Sequence, residues 1–337
     1  MRQPKLIPDA PTDGASEPAA AARPGPERRP NTGDLNDLTG TEWVKSTKSW
    51  FVCDSRRYRR NRNTEMHPAR YPEEMVAQFL RFFTQADAWV LDPFCGSGAT
   101  LVACLEEGRR GIGVELSEKY AAMAAARIPP EAAERARAVR GDVRGIGEAG
   151  FWDQVRVGQA SRLSGEDMDR RDGSATPDRR DACPTRDADG LPQFDFVITS
   201  PPYWNMLHRS RGGVRSKQKQ RAEADLDTRY SNDPLDLGNV VEYDDFIEAL
   251  GVAFDNCARL LRPGKYLVCV VQNCRTPEGE VRPLAWDLAR RISQTLSFQG
   301  ERIWCQDSKL LGIWGYPKVF VPNYHHHYCL IFRKPAE

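Results

Sequence analysis

The chain has no apolar run able to cross a bilayer: nothing in its 337 residues approaches the roughly 18 to 20 consecutive apolar residues that a spanning helix requires. Residues 1–29 lack a hydrophobic core segment of the signal-peptide kind, which argues against secretion. The nine cysteines are scattered, with no C-x-x-C pair. Such spacing fits neither a zinc module nor a disulfide framework and suits reduced thiols in a cytosol. An imbalance of charge is missing too. The 48 basic and 47 acidic residues leave a net +1, so total charge identifies no partner. No internal repeat is visible. What these absences leave is a cytoplasmic globular protein with no membrane attachment. Its 40% hydrophobic and 28% charged residues suffice for a sizeable core.

The charge that is present is clustered. Residues 55–63 (SRRYRRNRN) hold five arginines, Arg56, Arg57, Arg59, Arg60 and Arg62, and no acid. Residues 209–221 (RSRGGVRSKQKQR) hold six basic residues and no acid, Arg209, Arg211, Arg215 and Lys217 among them. Clusters of this kind can neutralise phosphates, although solvated loops with surplus arginine have the same composition. Residues 1–40 are rich in Pro, Ala, Gly and charged residues and poor in large apolar ones, which predicts a disordered tail. Residues 159–191 are dense in Arg, Asp, Gly and Ser and read as a polar insert within a domain covering 41–337.

Between these stretches, short apolar runs alternate with amphipathic segments. Strands are expected at 89–92 (WVLD), 111–115 (GIGVE), 194–199 (FDFVIT), 266–271 (YLVCVV), around 302–306 and at 328–333 (YCLIFR). Helices are expected at 99–107, at 117–127 with Ser117 as N-cap, at 243–261 stopped by Pro263-Gly264, and at 284–296. The fully apolar 266–271 run belongs in the middle of a sheet. This alternation predicts a doubly wound α/β fold with a mostly parallel, seven-stranded sheet, and a ligand beyond the carboxyl ends of the strands.

One strand-turn-helix stands out. In VLDPFCGSGAT (90–100), an acid ends the strand and Gly96 and Gly98 open the turn, where the backbone can approach a ligand without a Cβ clash. A third glycine in G-x-G-x-x-G spacing is absent, which argues against a dinucleotide pyrophosphate. A tight turn alone would give the same pattern. Two acids strengthen the ligand reading. Glu115 ends the next strand, where a carboxylate can accept from ribose hydroxyls, and Asp142 follows another likely strand, placed to accept from an adenine amino group. Either can also be a surface acid. A second segment, FVITSPPYW (196–204), ends a strand in a polar residue, two prolines and two aromatics. Pro201 and Pro202 remove two N–H donors, so the local carbonyls and the Ser200 hydroxyl are left as acceptors for an amino group. Tyr203 offers a face on which an extruded base can stack.

These two segments resemble the motifs of the S-adenosyl-L-methionine-dependent DNA amino-methyltransferases: DPFCGSG the cofactor motif, SPPY the catalytic one. HPARYPEEMVAQFL (67–80) is similar to the segment beside the methionine moiety in that family. The resemblance covers roughly 50–334 without the insert. It implies that Asp92, Phe94, Gly96, Ser97 and Gly98 hold the amino-acid end of the cofactor and that His67, Pro68 and Tyr71 line the neighbouring pocket. It further implies direct in-line attack by an exocyclic nitrogen, with Ser200, Pro201, Pro202 and Tyr203 as the catalytic set. No Pro-Cys pair of the C5-cytosine enzymes occurs here. Ser at the first position resembles cytosine-N4 members, whereas adenine-N6 members more often carry Asp or Asn. The cofactor motif precedes the catalytic one, the reverse of many serine-type members, as in a circular permutation.

The expected partner is DNA with a flipped target base, bound by the two basic clusters and Trp204, with 205–241 as the candidate target-recognition region. A restriction nuclease is a possible partner and no metal is expected. His325 and His327 would point to the same face of a strand, which permits a metal, but no third ligand is evident, and aromatic packing or a substrate contact is the favoured reading. Competing readings are adenine-N6 transfer, transfer to RNA of the tRNA guanine-N2 type, a non-catalytic nucleic-acid-binding subunit, and a nicotinamide dehydrogenase. The intact glycines together with SPPY disfavour the non-catalytic subunit, and the missing third glycine together with SPPYW disfavours the dehydrogenase.

Overall fold

In this computed structural model the described residues are 35–53, 71–153, 155, 183–204, 233–276, 279–307, 309, 311–313 and 316–336. In chain order they form α1 (Gly40–Ser46), β1 (Trp50–Val52), α2 (Glu73–Phe83), β2 (Trp89–Asp92), α3 (Ala99–Glu106), β3 (Arg110–Glu115), α4 (Glu118–Ala126), β4 (Ala136–Arg140) and β5 (Phe194–Thr199). There follow α5 (Tyr243–Leu260), β6 (Leu261–Val271), β7 (Cys274–Arg275), β8 (Val281–Arg282), α6 (Leu284–Ile292), β9 (Ser297–Cys305) and β10 (His326–Arg333). Among them no helix is long and apolar enough to cross a membrane.

Eight strands make one sheet in the order β1-β9-β10-β6-β5-β2-β3-β4, and β7 and β8 pair separately. The neighbours β4-β3-β2-β5-β6 are parallel, and β10 runs antiparallel to both β6 and β9. This is the doubly wound, mostly parallel Rossmann-like sheet that the alternation implied. Its seven strands are joined at the β9 edge by the short parallel β1.

Both faces of the central strands are covered, which is why these strands are apolar throughout. Successive residues point to opposite sides. Leu91, Val197 and Leu267 enter one core with Phe246 and Leu250 of α5 and Leu288 of α6. Val90, Phe196 and Val268 enter the other with α2. Within α2, Met75, Val76, Phe79, Leu80 and Phe83 recur at helical spacing and are buried. Each such side chain contributes about 1.5–3 kcal/mol on burial. Phe83 stacks on Phe196 at 5.4 Å between centroids and so braces β5 from behind. Two boundaries differ from the sequence expectation. The sixth strand begins at Leu261 and runs through Pro263-Gly264, because Leu261 pairs with Phe194 before Tyr266 pairs with Phe196 across a register shift. The 284–296 helix ends at Ile292, and β9 starts at Ser297.

Candidate active site

Asp92 ends β2 with its side chain buried at the sheet's carboxyl edge. Its Oδ2 accepts from the Tyr71 hydroxyl at 2.7 Å and from the Thr100 hydroxyl. Its Oδ1 accepts from the Thr199 hydroxyl at 2.6 Å and the Phe94 N–H at 3.2 Å. One carboxylate thus joins β2, β5, α3 and the chain just before α2. Burial raises its pKa although these donors pull it down. With four donors on it, Asp92 is not among the residues that line the cleft described below and braces the strand end behind it.

The turn after β2 is tied to β3. The Cys95 N–H donates to the Val114 carbonyl at 3.0 Å, and the Gly96 N–H to Glu115 Oε2 at 2.9 Å. Gly96 has φ 50° and Gly98 φ 81°, both in the left-handed region. A Cβ on Gly98 would stand 2.9 Å from the Ala124 Cβ, so this glycine serves close packing on α4 and does not line the cleft. Arg127, the C-cap of α4, donates to the Ser97 carbonyl at 2.9 Å and pairs with Glu73, which pins the turn from outside.

The resulting cleft encloses about 880 Å³ including its open mouth. Tyr71, Phe94, Gly96 and Ser97 line one side, Glu115 and Asp142 another, and Ser200 and Pro202 a third. Glu115 is held by the Gly96 and Ser117 N–H groups, each at 2.9 Å. Burial pushes its carboxyl up to about 7; those two N–H groups pull against it, while Asp92 and Asp236 add to it. The Asp142 carboxylate accepts from the Arg144 N–H at 2.9 Å and pairs with its guanidinium at 2.6 Å. Arg144 also donates to the Leu235 carbonyl at 3.2 Å. It thereby fastens residues 235–237 as a further wall, one that the sequence reading had placed in the target-recognition region 205–241. The only local signal was Asp236-Leu237-Gly238, in which the Asp236 carboxylate accepts from the Gly238 N–H at 2.8 Å. Leu116, Ser117, Tyr120 and Val143 also line the cleft and carried no motif.

At the end of β5, Ser200 is half-buried and Pro201 buried. Tyr203 is only 6% exposed, its ring in the core and not on the cleft wall. The expected open stacking face is therefore not presented. Its hydroxyl lies 3.0 Å from Ser200 Oγ and donates to the Val270 carbonyl at 3.3 Å. With the tyrosine proton on Val270, the serine proton points to the tyrosine oxygen, and the Ser200 lone pairs are left for the cleft. Trp204, expected at a nucleic-acid surface, is also buried. Its Nε1–H donates to the Val240 and Val241 carbonyls at 3.1 and 3.2 Å, and its ring meets Tyr243 edge-on. These contacts hold Trp204 at φ 49°, a left-handed conformation that costs a non-glycine residue on the order of 1–2 kcal/mol. Burial pushes the Cys95 thiol well up, which keeps it protonated and a poor nucleophile.

Of the two histidines singled out, His325 precedes β10 with its ring nitrogens on the Asn323 and Lys309 carbonyls. His327 stacks on Trp304 at 4.6 Å, beside Tyr203, and its buried Nδ1 has no partner. Burial drives its pKa down to about 3, so it is neutral. They do not share a ligand position. His67, Pro68, Arg56, Arg57, Arg59, Arg60, Arg209, Arg211, Arg215 and Lys217 lie outside the described residues.

The family model described as DNA methylase matches residues 25–126, which include the turn after β2 and end before Ser200. The type II methyltransferase M.SmaI of Serratia marcescens is 42% identical over 72 residues, 20% of this chain and 25% of that protein. The type II methyltransferase M.ScaI of Streptomyces caespitosus is 35% identical over 66 residues, 20% of this chain and 22% of that protein. Each match thus spans about a quarter of the relative's length. The solved structure of TrmN from Thermus thermophilus is matched at a TM-score of 0.39 and 12% identity, over 78% of this chain and 48% of that one. Over residues 25–126, then, the chain is similar to the DNA methylase family.

Proposed function

We propose that this protein transfers a methyl group from S-adenosyl-L-methionine to the exocyclic N4 of cytosine in DNA. The observation that carries the reading is the cleft itself, into which the Phe94–Ser97 turn, Glu115, and Ser200 with Pro202 converge from three strand ends. Its residues fit the cofactor. Glu115 offers a carboxylate to the ribose diol, the apolar Leu116, Val143 and Leu237 suit a flat adenine, and Asp142 stands nearby as an acceptor. When bound, S-adenosylmethionine supplies an electrophilic methyl group on a sulfonium.

The chain's own residues then position the acceptor. The exocyclic nitrogen of a base is a weak nucleophile because its lone pair is delocalised into the ring. Ser200 Oγ and the Pro201 carbonyl, accepting its two N–H bonds, draw it toward a tetrahedral geometry with the lone pair free. The Tyr203–Val270 relay keeps Ser200 an acceptor during this step. The remaining rate gain is orientation. No cysteine takes part. The names of M.SmaI and M.ScaI, both type II methyltransferases, support methyl transfer; a restriction-nuclease partner and a cytoplasmic setting are part of the same proposal.

The test is expression in a host free of DNA methylation, followed by mass spectrometry of the nucleosides. N4-methylcytosine is expected, reduced on the order of 10- to 100-fold by Ser200→Ala. N6-methyladenine would keep the enzyme class and replace the base. A methylated guanosine in RNA, with unmodified DNA, would overturn the DNA assignment.

A further inference from the structure

The connection between β9 and β10, of which residues 306, 307, 309, 311–313 and 316–325 are described, leaves the sheet at the same edge as the cleft. β9 ends there at Cys305, β10 begins there at His326, and β5 and β6 end there at Thr199 and Val271. The base of this loop is stitched together. The Asn323 side chain accepts from the Gly312 N–H and donates to the Gly312 carbonyl, both at 2.9 Å. His325 Nε2 lies 2.9 Å from the Lys309 carbonyl, and Lys309 donates to the Tyr324 carbonyl.

Above this neck the tip is apolar and open to solvent. Phe320 is 88% and Ile313 87% exposed, and Leu311, Tyr316 and Val319 are exposed beside them. A run of large apolar side chains left in water on a braced support marks a contact site, unlike a single stray exposed leucine. The one acid in 306–325 is Asp307, against Lys309 and Lys318, and exposed Lys318 lies two residues from Phe320. An apolar point beside an exposed lysine suits a stacked polyanion, in which apolar side chains wedge between base steps while the lysine meets a phosphate. Its location agrees. Ser200 and Tyr203 stand at the end of β5, with the Tyr203 ring 6.2 Å from that of His327 in the second residue of β10.

We propose that the 306–325 tip, led by Phe320 and Ile313, inserts into duplex DNA and fills the gap left when the target base is extruded into the cleft. This rests on the DNA reading above. Removing a base from the stack leaves an apolar void bounded by neighbouring bases. The tip replaces part of the lost stacking, and its hydrogen-bonded neck ties it to the sheet edge at which Ser200 stands.

The experiment uses the full-length protein and a fluorescein-labelled 30-base-pair duplex of mixed sequence, either intact or with one abasic site. The abasic duplex has already lost the stacking of one base. Wild-type protein should bind it about tenfold more tightly than the intact duplex, on the scale of one base–aromatic stack. Phe320→Ser should reduce this preference to less than about twofold, and Phe320→Trp should retain it. Cofactor binding by calorimetry should be the same in all three. A wild type without preference, or a Phe320→Ser variant that keeps it, overturns the wedge. So does a wild-type dimer that Phe320→Ser converts to a monomer in sedimentation, because the tip would then serve a second copy of the chain. Methylated host DNA with no abasic preference sinks the wedge alone. Unmethylated DNA with no duplex binding sinks the DNA reading with it.

Discussion

Glu115 shows how a single group couples ligand and proton. Its carboxyl titrates at about 7 in the folded chain against an ordinary 4.5, chiefly because it is buried. A ribose diol donates to a carboxylate more strongly than to a carboxylic acid, so cofactor binding favours the ionised form. Affinity for S-adenosylmethionine should therefore rise through pH 7. Calorimetry should find binding about tenfold weaker at pH 6 than at pH 8, and Glu115→Gln should flatten the profile. Stability of the free protein moves the other way. The folded state binds the extra proton between pH 4.5 and 7, so the contribution of Glu115 is largest below that window and is lost as pH rises through it. An unchanged pH slope in Glu115→Gln would remove this residue from the ligand's contacts. The register of Glu115 with the glycines was legible in the sequence. The conformations of Tyr203 and Trp204 were not. An aromatic after Pro-Pro reads alike whether it faces a ligand or the core, and only the Val270, Val240 and Val241 carbonyls decide it.

Among the elements, the helices and central strands were readable because burial on one or both faces imposes a period. The wall at residues 235–237 was not, since the contact that places it joins Arg144 to Leu235 across 91 positions and leaves no period behind. The pair Asp142–Arg144 is partly exposed, and surface ion pairs contribute little to global stability. Its expected effect is local. Arg144→Ala should weaken cofactor binding about three- to tenfold, the scale of one or two charge-assisted hydrogen bonds, while the unfolding midpoint barely moves. Limited proteolysis should show earlier cleavage near residue 233 in the variant, with protection by cofactor reduced. A variant that loses midpoint and affinity together would show that Arg144 supports the fold instead of the wall.

For the whole molecule, alternation of strands and helices gave the fold class but not the order of the strands. Nothing local in 326–333 says that this strand turns antiparallel and slips between β6 and β9. That insertion aligns the β9–β10 loop with the cleft, and the cleft itself opens where β2 and β5 pair. Asp92 stands at this junction, and its four donors come from three parts of the chain, Tyr71, the segment holding Phe94 and Thr100, and Thr199. Asp92→Ala would leave three hydroxyls and one N–H around a buried void. Each such unsatisfied group costs about 1–3 kcal/mol, less where a hydroxyl can turn to another acceptor. Urea denaturation should therefore register a loss of about 3 kcal/mol or more, and Asp92→Asn, which keeps one acceptor oxygen and the volume, a smaller one. Cofactor affinity should fall in the same order, because the turn that carries Phe94 to Ser97 is anchored through this carboxylate. The two readouts separate positioning from contact. A variant at position 92 that unfolds at the wild-type midpoint yet fails to bind the cofactor would mean that Asp92 touches the ligand after all, with its hydroxyl partners exchanged for those of the bound molecule.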